Sequence, residues 1–215
     1  MPKRTKQSAF WSTTQGDEYT KRNPQSVKEL DNLYKNQYGA TRLKMNQDFL
    51  GNFKKDIKIL EVGANIGLQL ELLNKMGFTN LIGIEVNNFA VREAKRIHPS
   101  VDVIKGTAFD LPFKDNYFDL VFTSGFLIHI APRDLKKAMS EIVRVSKKHV
   151  WGLEYYADKA ADVIYRGNKG FLWKRDFADF YIKNFPALNL DKEKKYEMKS
   201  GNVSQMFLLN KKQNV

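Results

Sequence analysis

The sequence of 215 residues contains no cysteine. This absence excludes disulfide bonds, zinc sites built from thiolates and covalent catalysis through a sulfur nucleophile. Long apolar runs are also missing. The longest apolar run falls far short of the ~20 residues that span a bilayer. No apolar stretch follows the basic N-terminus, so we predict neither a signal peptide nor a transmembrane helix. The cytoplasm is the predicted location, and no metal site is predicted.

Acidic residues are the minority charge, with 24 of them against 36 lysines and arginines and a net charge of +12. Such an excess is compatible with an anionic partner, including nucleic acid. The cations, however, are spread along the whole chain, and no arginine-rich segment with interleaved aromatic residues is present. A generally cationic surface is therefore the simpler interpretation, and nucleic acid is a disfavoured partner that is not excluded.

Short apolar runs alternate with helical patterns through the middle of the chain, and 42% of the residues are hydrophobic, enough for one domain core. Five of these runs predict buried strands, at 57–62, 81–86, 101–104, 120–123 and 150–155. Strands that alternate with crossover helices predict a parallel sheet with helices on both faces.

Helices and a hairpin are predicted on either side of this alternating region. Two helices precede it, at 25–37 and 41–53, and a third follows it at roughly 174–185. Gly201-Asn202 is a favourable hairpin turn between two last strands, near 194–200 and 204–210. We therefore expect an antiparallel hairpin to close the parallel sheet.

A glycine-containing turn, from Gly63 through Asn65 to Gly67, follows the first predicted strand and opens a helix. Glycine lets a ligand approach the backbone and the helix N-terminus offers unpaired N–H groups, although such a turn also requires glycine for geometry alone. Glu85, at the end of the second strand, is placed to accept hydrogen bonds from both hydroxyls of a ribose. Together the two motifs predict a site for a nucleoside-containing cofactor.

Charge separates the two kinds of cofactor that contain such a ribose. A dinucleotide pyrophosphate requires a G-x-G-x-x-G turn, whereas Asn65 replaces the middle glycine here and the carboxylate of Glu61 would repel phosphates. S-adenosylmethionine instead carries an ammonium and a sulfonium group, which a nearby carboxylate attracts. We therefore predict S-adenosylmethionine as the cofactor.

Four motifs in order, at 59–67, 83–87, 106–113 and 118–122, resemble those of the class I S-adenosylmethionine-dependent methyltransferases. The resemblance implies an α/β, Rossmann-like fold with a doubly wound, mostly parallel seven-stranded sheet that ends in the antiparallel hairpin. It also implies that the cofactor is bound by Glu61, Gly63, Asn65, Gly67, Glu85, Val86, Thr107, Ala108, Phe109 and Ser124.

We expect a single methyltransferase domain over 1–215. Its predicted parts are an N-terminal helical lid or cap at 1–53 and a cofactor-binding core at 54–156. The remainder, 157–215, would hold a substrate loop, a helix and the closing hairpin.

Segments outside the cofactor motifs narrow the resemblance. They are similar to the pseudaminic acid biosynthesis-associated methylases at 10–11, 16–19, 22–23, 126–130, 154–156, 165–167 and 173–177. This similarity implies a nonulosonic sugar acid or its precursor as one possible acceptor.

Trp11 and Tyr19 are spaced for one face of a helix. Two interpretations are open. In the first, the pair merely packs this helix onto the domain. Alternatively, it could bind cofactor as part of a lid, because an aromatic face attracts the charged methyl donor.

Three residues are predicted to act in catalysis. His129 follows the fourth strand, at the sheet edge where doubly wound folds bind ligands. Its imidazole could simply bond a backbone carbonyl in the helix that follows, or it could act as a base with a pKa near ~6.5. The planar fork of Arg166, between Tyr165 and Gly167, suits a carboxylate. Tyr155 is the third candidate.

These features predict methyl transfer from S-adenosylmethionine to oxygen or nitrogen of a small, polar, carboxylate-bearing metabolite. A nucleic-acid methyltransferase is the first alternative, although residues 123–126 lack the Asn/Asp-Pro-Pro-aromatic motif of base-amine methylation. The second alternative is a module that binds S-adenosylmethionine without turnover. The sequence leaves the oligomeric state open.

Overall fold

The structure is a computed structural model that describes residues 5–212. The first four residues of the predicted lid and the last three of the chain lie outside the described residues. Two compact units make up the chain, one up to Thr107 and one from Ala108 onward. This division falls inside the predicted core at 54–156, and the single-domain organisation stays a prediction.

Four helices open the first unit. They are α1 (Lys6–Trp11), α2 (Thr14–Arg22), α3 (Val27–Tyr38) and α4 (Arg42–Leu50). The last two are the helices predicted at 25–37 and 41–53, and the second of these ends at Leu50, three residues early.

Trp11 and Tyr19 lie on two different helices, α1 and α2, whereas the sequence predicted a single helical face. The break arises because the hydroxyls of Ser12 and Thr13 donate to the carbonyls of Ala9 and Phe10 and end α1. The indole and phenol rings nevertheless meet edge to face, with their centroids 5.2 Å apart.

Three parallel strands form the sheet of the first unit, in the order β3-β2-β1. They are β1 (Lys58–Val62), β2 (Asn80–Glu85) and β3 (Asp102–Lys105), connected by α5 (Leu68–Lys75) and α6 (Asn88–Ile97). Parallel register pairs Val62 with Ile84, so the carboxyl ends of β1 and β2 lie side by side. The glycine turn and Glu85 therefore meet at this edge.

The second unit contains the remaining strands in the order β4-β5-β9-β8. Its elements are β4 (Phe118–Ser124), a 3₁₀ turn (Leu127–His129), α7 (Pro132–Val145), β5 (Ser146–Tyr156), β6 (Ala161–Asp162), β7 (Trp173–Lys174), α8 (Phe177–Asn184), β8 (Leu188–Glu197) and β9 (Val203–Lys211). β4 and β5 are parallel, whereas β9 pairs antiparallel with both β5 and β8. The short strands β6 and β7 form a separate antiparallel pair.

The seven main strands belong to one mostly parallel sheet with a C-terminal antiparallel hairpin, which confirms the predicted fold class. The hairpin strand β8 begins at Leu188, six residues before the predicted start. Its interior from Asn189 to Lys195 is exposed and mostly polar, so the alternating pattern that marks a half-buried strand is absent. Between residues 5 and 212, no helix is both long enough and apolar enough to span a membrane.

Candidate functional site

The turn after β1 has a backbone conformation that few residues adopt. Gly63, Asn65 and Gly67 all have positive φ angles, of 81°, 48° and 73°, a region open to glycine and tolerated by asparagine. The amides of Gly63 and Ala64 both donate to the carbonyl of Ile84, at 2.9 and 3.0 Å. The turn is therefore bound to the end of β2 and opens directly into α5.

Backbone amides hold the side chain of Glu85 at this edge. Its Oε1 accepts from the amide of Asn87 and its Oε2 from the amide of Asn65, both at 2.8 Å. Burial raises the pKa of Glu85, and these amides oppose the rise. Each carboxylate oxygen can accept a further hydrogen bond. The predicted ribose contact is therefore compatible with the bonds that hold Glu85 in place.

Glu61, at the end of β1, is 2% exposed, and its Oε2 accepts no hydrogen bond from residues 5–212. Burial raises the pKa of Glu61 well above its ordinary value; the nearby Arg42 lowers it and Glu85 raises it further. A buried carboxyl oxygen without a donor costs roughly 1–3 kcal/mol. An ammonium group bound beside Glu61 would supply that donor, so this side chain fits the predicted cofactor.

The side chains of Asn65 and Asn87 connect the same site to the N-terminal helices. Asn65 Nδ2 donates to Thr20 Oγ1 at 3.1 Å, and Asn87 Nδ2 donates to both the Trp11 carbonyl and Asp17 Oδ1 at 2.9 Å. Both asparagines also bind Glu85 through their backbone amides. Asn65 and Asn87 therefore connect Glu85, the predicted ribose ligand, to the N-terminal helices α1 and α2.

Close packing adds to this connection. A Cβ atom at Gly16, on α2, would lie 1.9 Å from the Trp11 carbonyl oxygen and 2.5 Å from Asn87 Nδ2. Only glycine lets α2 approach the end of α1 this closely.

The second unit contains a buried carboxylate that was not among the predicted site residues. Glu154, on β5, is 1% exposed. Its Oε1 accepts from the Phe126 amide at 3.2 Å and its Oε2 from the Ile128 amide at 3.3 Å. Burial raises the pKa of Glu154 to about 7, although the Thr123 hydroxyl and the amides of the 126–128 segment oppose the rise. Its sequence signals were an acidic residue inside an otherwise apolar strand and the family similarity at 154–156.

His129 ends the segment that Glu154 holds. Its Nδ1 lies 2.7 Å from the carbonyl oxygen of Phe171, and because a carbonyl only accepts, Nδ1 carries the proton and Nε2 is left unprotonated. Burial lowers the pKa of His129 to about 4, so the predicted value near ~6.5 is wrong. The imidazole does bond a backbone carbonyl, but that of Phe171 and not one in the following helix α7, so the predicted partner is wrong. The base role stays a prediction.

Tyr165, the residue before Arg166, lies edge to face with the His129 imidazole at a centroid distance of 5.1 Å. Arg166 is exposed at the tip of a tight turn with a φ of 48°, closed by reciprocal 2.9 Å hydrogen bonds between Tyr165 and Asn168. Tyr155 is half-buried on β5, with Lys174 Nζ 5.9 Å from its ring centroid. Their catalytic roles stay predictions.

The other predicted cofactor residues are distributed over both units. Val86, Thr107 and Ser124 are half-buried, whereas Ala108 and Phe109 are buried. Their contacts do not separate a cofactor role from a structural one, so these assignments also stay predictions.

Residues 60–151 match the family model described as a methyltransferase domain. A demethylmenaquinone methyltransferase of Renibacterium salmoninarum is 33% identical over 90 residues, which cover 42% of this chain and 37% of the relative. A sterol 24-C-methyltransferase of Aspergillus fumigatus is 30% identical over 100 residues, covering 44% of this chain and 26% of that protein. The chain thus spans less than half the length of these curated relatives.

Solved structures share the fold. The magnesium protoporphyrin IX methyltransferase of Synechocystis, solved with bound S-adenosylhomocysteine, superposes with a TM-score of 0.69 at 12% identity. The superposition covers 95% of this chain and 97% of that one.

Proposed function

We propose that this chain, whose residues 60–151 match the model of a methyltransferase domain, transfers a methyl group from S-adenosylmethionine to a small-molecule acceptor. The observation that carries the proposal is the pair of buried carboxylates around the glycine turn, one of them with an oxygen that lacks a donor. S-adenosylmethionine supplies a methyl group already activated by its sulfonium.

The first unit holds the cofactor in this proposal. Glu85 accepts hydrogen bonds from the ribose hydroxyls, Glu61 accepts from the ammonium, and the backbone of Gly63 and Gly67 lies against the methionine moiety. Val86 packs on the adenine. The support is the geometry of the turn, the unpartnered Glu61 Oε2 and the remaining acceptor capacity of Glu85.

The second unit supplies the base. His129 Nε2 takes the proton from the acceptor's hydroxyl or amine, because Nδ1 is occupied by the Phe171 carbonyl. Glu154 acts as a positioning residue, since it fixes the backbone of the segment that ends in His129. Orientation of donor and nucleophile provides most of the remaining rate enhancement.

The acceptor in this proposal is a carboxylate-bearing metabolite such as a nonulosonic sugar acid. Its support is the similarity at 126–130, 154–156 and 165–167, together with the net charge of +12, which favours anionic molecules. The named curated relatives act on small molecules, a demethylmenaquinone and a sterol.

Calorimetry with S-adenosylhomocysteine tests the cofactor assignment directly. We expect saturable, one-to-one binding to the wild-type chain, and release of S-adenosylhomocysteine from S-adenosylmethionine when a panel of sugar acids, quinones and sterols is supplied. Binding without release by any acceptor would favour a non-catalytic module, and absence of binding would refute the proposal.

We further propose that α1 and α2 form a lid over the cofactor. Asn87→Ala removes both hydrogen bonds from its side chain to the Trp11 carbonyl and Asp17, so we expect cleavage by trypsin after Lys21 and Arg22 to accelerate about tenfold. Limited proteolysis followed by mass spectrometry measures this rate. Bound S-adenosylhomocysteine should slow the same cleavage in the wild type.

Asn80→Ala is the matched control, because Asn80 Nδ2 donates to the Asp56 carbonyl and does not bind the N-terminal helices. Its cleavage rate should equal that of the wild type. Equal cleavage of the wild type with and without S-adenosylhomocysteine would eliminate the lid.

A further inference from the structure

A small cavity of about 140 Å³ lies within the second unit. Its apolar wall includes Leu127, Pro132, Leu135, Trp173 and Phe177, and its polar lining includes Asp162, Lys174 and Arg175. An engineered apolar cavity of about 150 Å³ binds benzene. The volume here is therefore sufficient for one ring or a short branched carbon skeleton.

Arg175 is the distinctive group of this lining. It is half-buried, and it forms no hydrogen bond or ion pair with any side chain or backbone group in residues 5–212. Its guanidinium carbon lies 3.9 Å from the centroid of the Phe180 ring, within the distance of a cation–π interaction. Burial lowers the pKa of Arg175, with Asp179 opposing the effect. A partly desolvated cation with unused donors favours an anionic ligand.

The neighbouring charged groups of the lining already have partners. Lys174 Nζ donates to Asn202 Oδ1. Asp162 is exposed and accepts from the Gly170 amide at 3.2 Å, so solvent screens its repulsion of an anion. Lys174 keeps further N–H donors, but Arg175 supplies the planar fork of this lining.

We propose that this cavity is an acceptor subsite for a carboxylate on an apolar carbon skeleton, with Arg175 binding the carboxylate bidentately. Chain connectivity links the cavity to His129, because Leu127 belongs to the same 3₁₀ turn and Trp173 follows closely after Phe171, the hydrogen-bond partner of the imidazole. That this subsite binds the methyl acceptor rests on the proposed methyl transfer. That it binds a carboxylate does not.

This assignment moves the carboxylate contact from Arg166, which the sequence favoured, to Arg175. Arg166 lies at the tip of an exposed turn, where a surface ion pair contributes little. Arg175 combines partial burial, a cation–π contact with Phe180 and an apolar wall.

Benzoate and its neutral counterpart benzamide are the probes. In ¹H–¹⁵N spectra of the whole chain, benzoate should shift the indole signal of Trp173, identified through Trp173→Phe, and benzamide should bind at least tenfold more weakly. Arg175→Gln should weaken benzoate at least tenfold, and Arg175→Lys, which keeps the charge but loses the fork, should also weaken it. Arg133→Gln, at an exposed arginine of α7, should leave benzoate binding unchanged.

Benzoate and benzamide binding equally, or an Arg175→Lys chain with wild-type benzoate affinity, would overturn the proposal. Loss of benzoate binding in Arg166→Gln but not in Arg175→Gln would restore the assignment to Arg166. N-acetylneuraminate, a nonulosonic sugar acid, distinguishes this subsite from the sugar-acid acceptor named above. Binding as tight as that of benzoate would overturn the apolar skeleton, whereas binding at least tenfold weaker would support it and exclude the sugar acid as the acceptor of this subsite. Calorimetry with S-adenosylhomocysteine on the same variants reports the proposed cofactor function separately, since none of these arginines lies in the first unit.

Discussion

Replacement of Glu85 by alanine is expected to weaken binding of S-adenosylhomocysteine by at least about 100-fold. Two charge-assisted hydrogen bonds to ribose hydroxyls are lost, each worth roughly 1.5–3 kcal/mol, and every ~1.4 kcal/mol corresponds to a tenfold change in affinity. The amides of Asn65 and Asn87 lose their acceptor as well, which loosens both loops of the cofactor site. Isothermal titration calorimetry measures the change.

Glu93→Ala is the control for this variant. Glu93 lies on α6 of the same unit, and its carboxylate pairs with Arg96 at 2.6 Å on the surface rather than with a cofactor loop. The affinity of the Glu93→Ala chain for S-adenosylhomocysteine should match that of the wild type. A folded Glu85→Ala chain with an unchanged dissociation constant would remove the ribose assignment.

The meeting of the glycine turn with Glu85 was predictable from the motif and the order of the strands. A strand-to-helix turn favours glycine, and Glu85 reaches that turn because parallel pairing brings the ends of β1 and β2 together. The bond from the Asn65 amide to Glu85 spans 20 residues, but it follows from the pairing of two consecutive strands.

Contacts between segments distant in sequence could not be predicted from local sequence patterns. The two amides that donate to Glu154, those of Phe126 and Ile128, lie 28 and 26 residues before it in the chain, so nothing near Glu154 indicated that it holds the 126–128 backbone. The pKa of His129 depends on burial, which the motif around it does not specify. Asn87 could be identified as a helix cap, but its bond to Trp11 spans 76 residues.

The pattern around Arg166 is local, but it is compatible with two different structures. Tyr165 and Gly167 suggested a pocket for a carboxylate, yet a glycine after a residue of positive φ is equally the signature of a tight hairpin turn. The reciprocal hydrogen bonds of Tyr165 and Asn168 correspond to that turn.

His129→Ala is expected to lower turnover by about 100-fold or more, because general-base catalysis typically contributes 10²–10⁴ in rate. The Michaelis constant for S-adenosylmethionine should stay within about twofold, since the predicted base does not bind the cofactor. Steady-state kinetics with an acceptor from the panel measures both constants. His149→Ala is the matched control, because His149 on β5 bonds Asn210 Oδ1 at 2.7 Å and has no proposed role. Wild-type turnover in His129→Ala would exclude the base assignment.

The pH profile separates His129 from Glu154. A base acts when deprotonated, and a pKa of about 4 keeps the His129 imidazole neutral throughout the range above pH ~5. Glu154, with a pKa of about 7, ionises within that range, and the carboxylate accepts the amides of Phe126 and Ile128 more strongly than the acid does. Turnover should therefore rise with pH through about 7. Glu154→Gln should abolish the rise, whereas His129→Ala should keep its midpoint at a lower rate. A rise that disappears in His129→Ala and persists in Glu154→Gln would instead assign the titration to the imidazole.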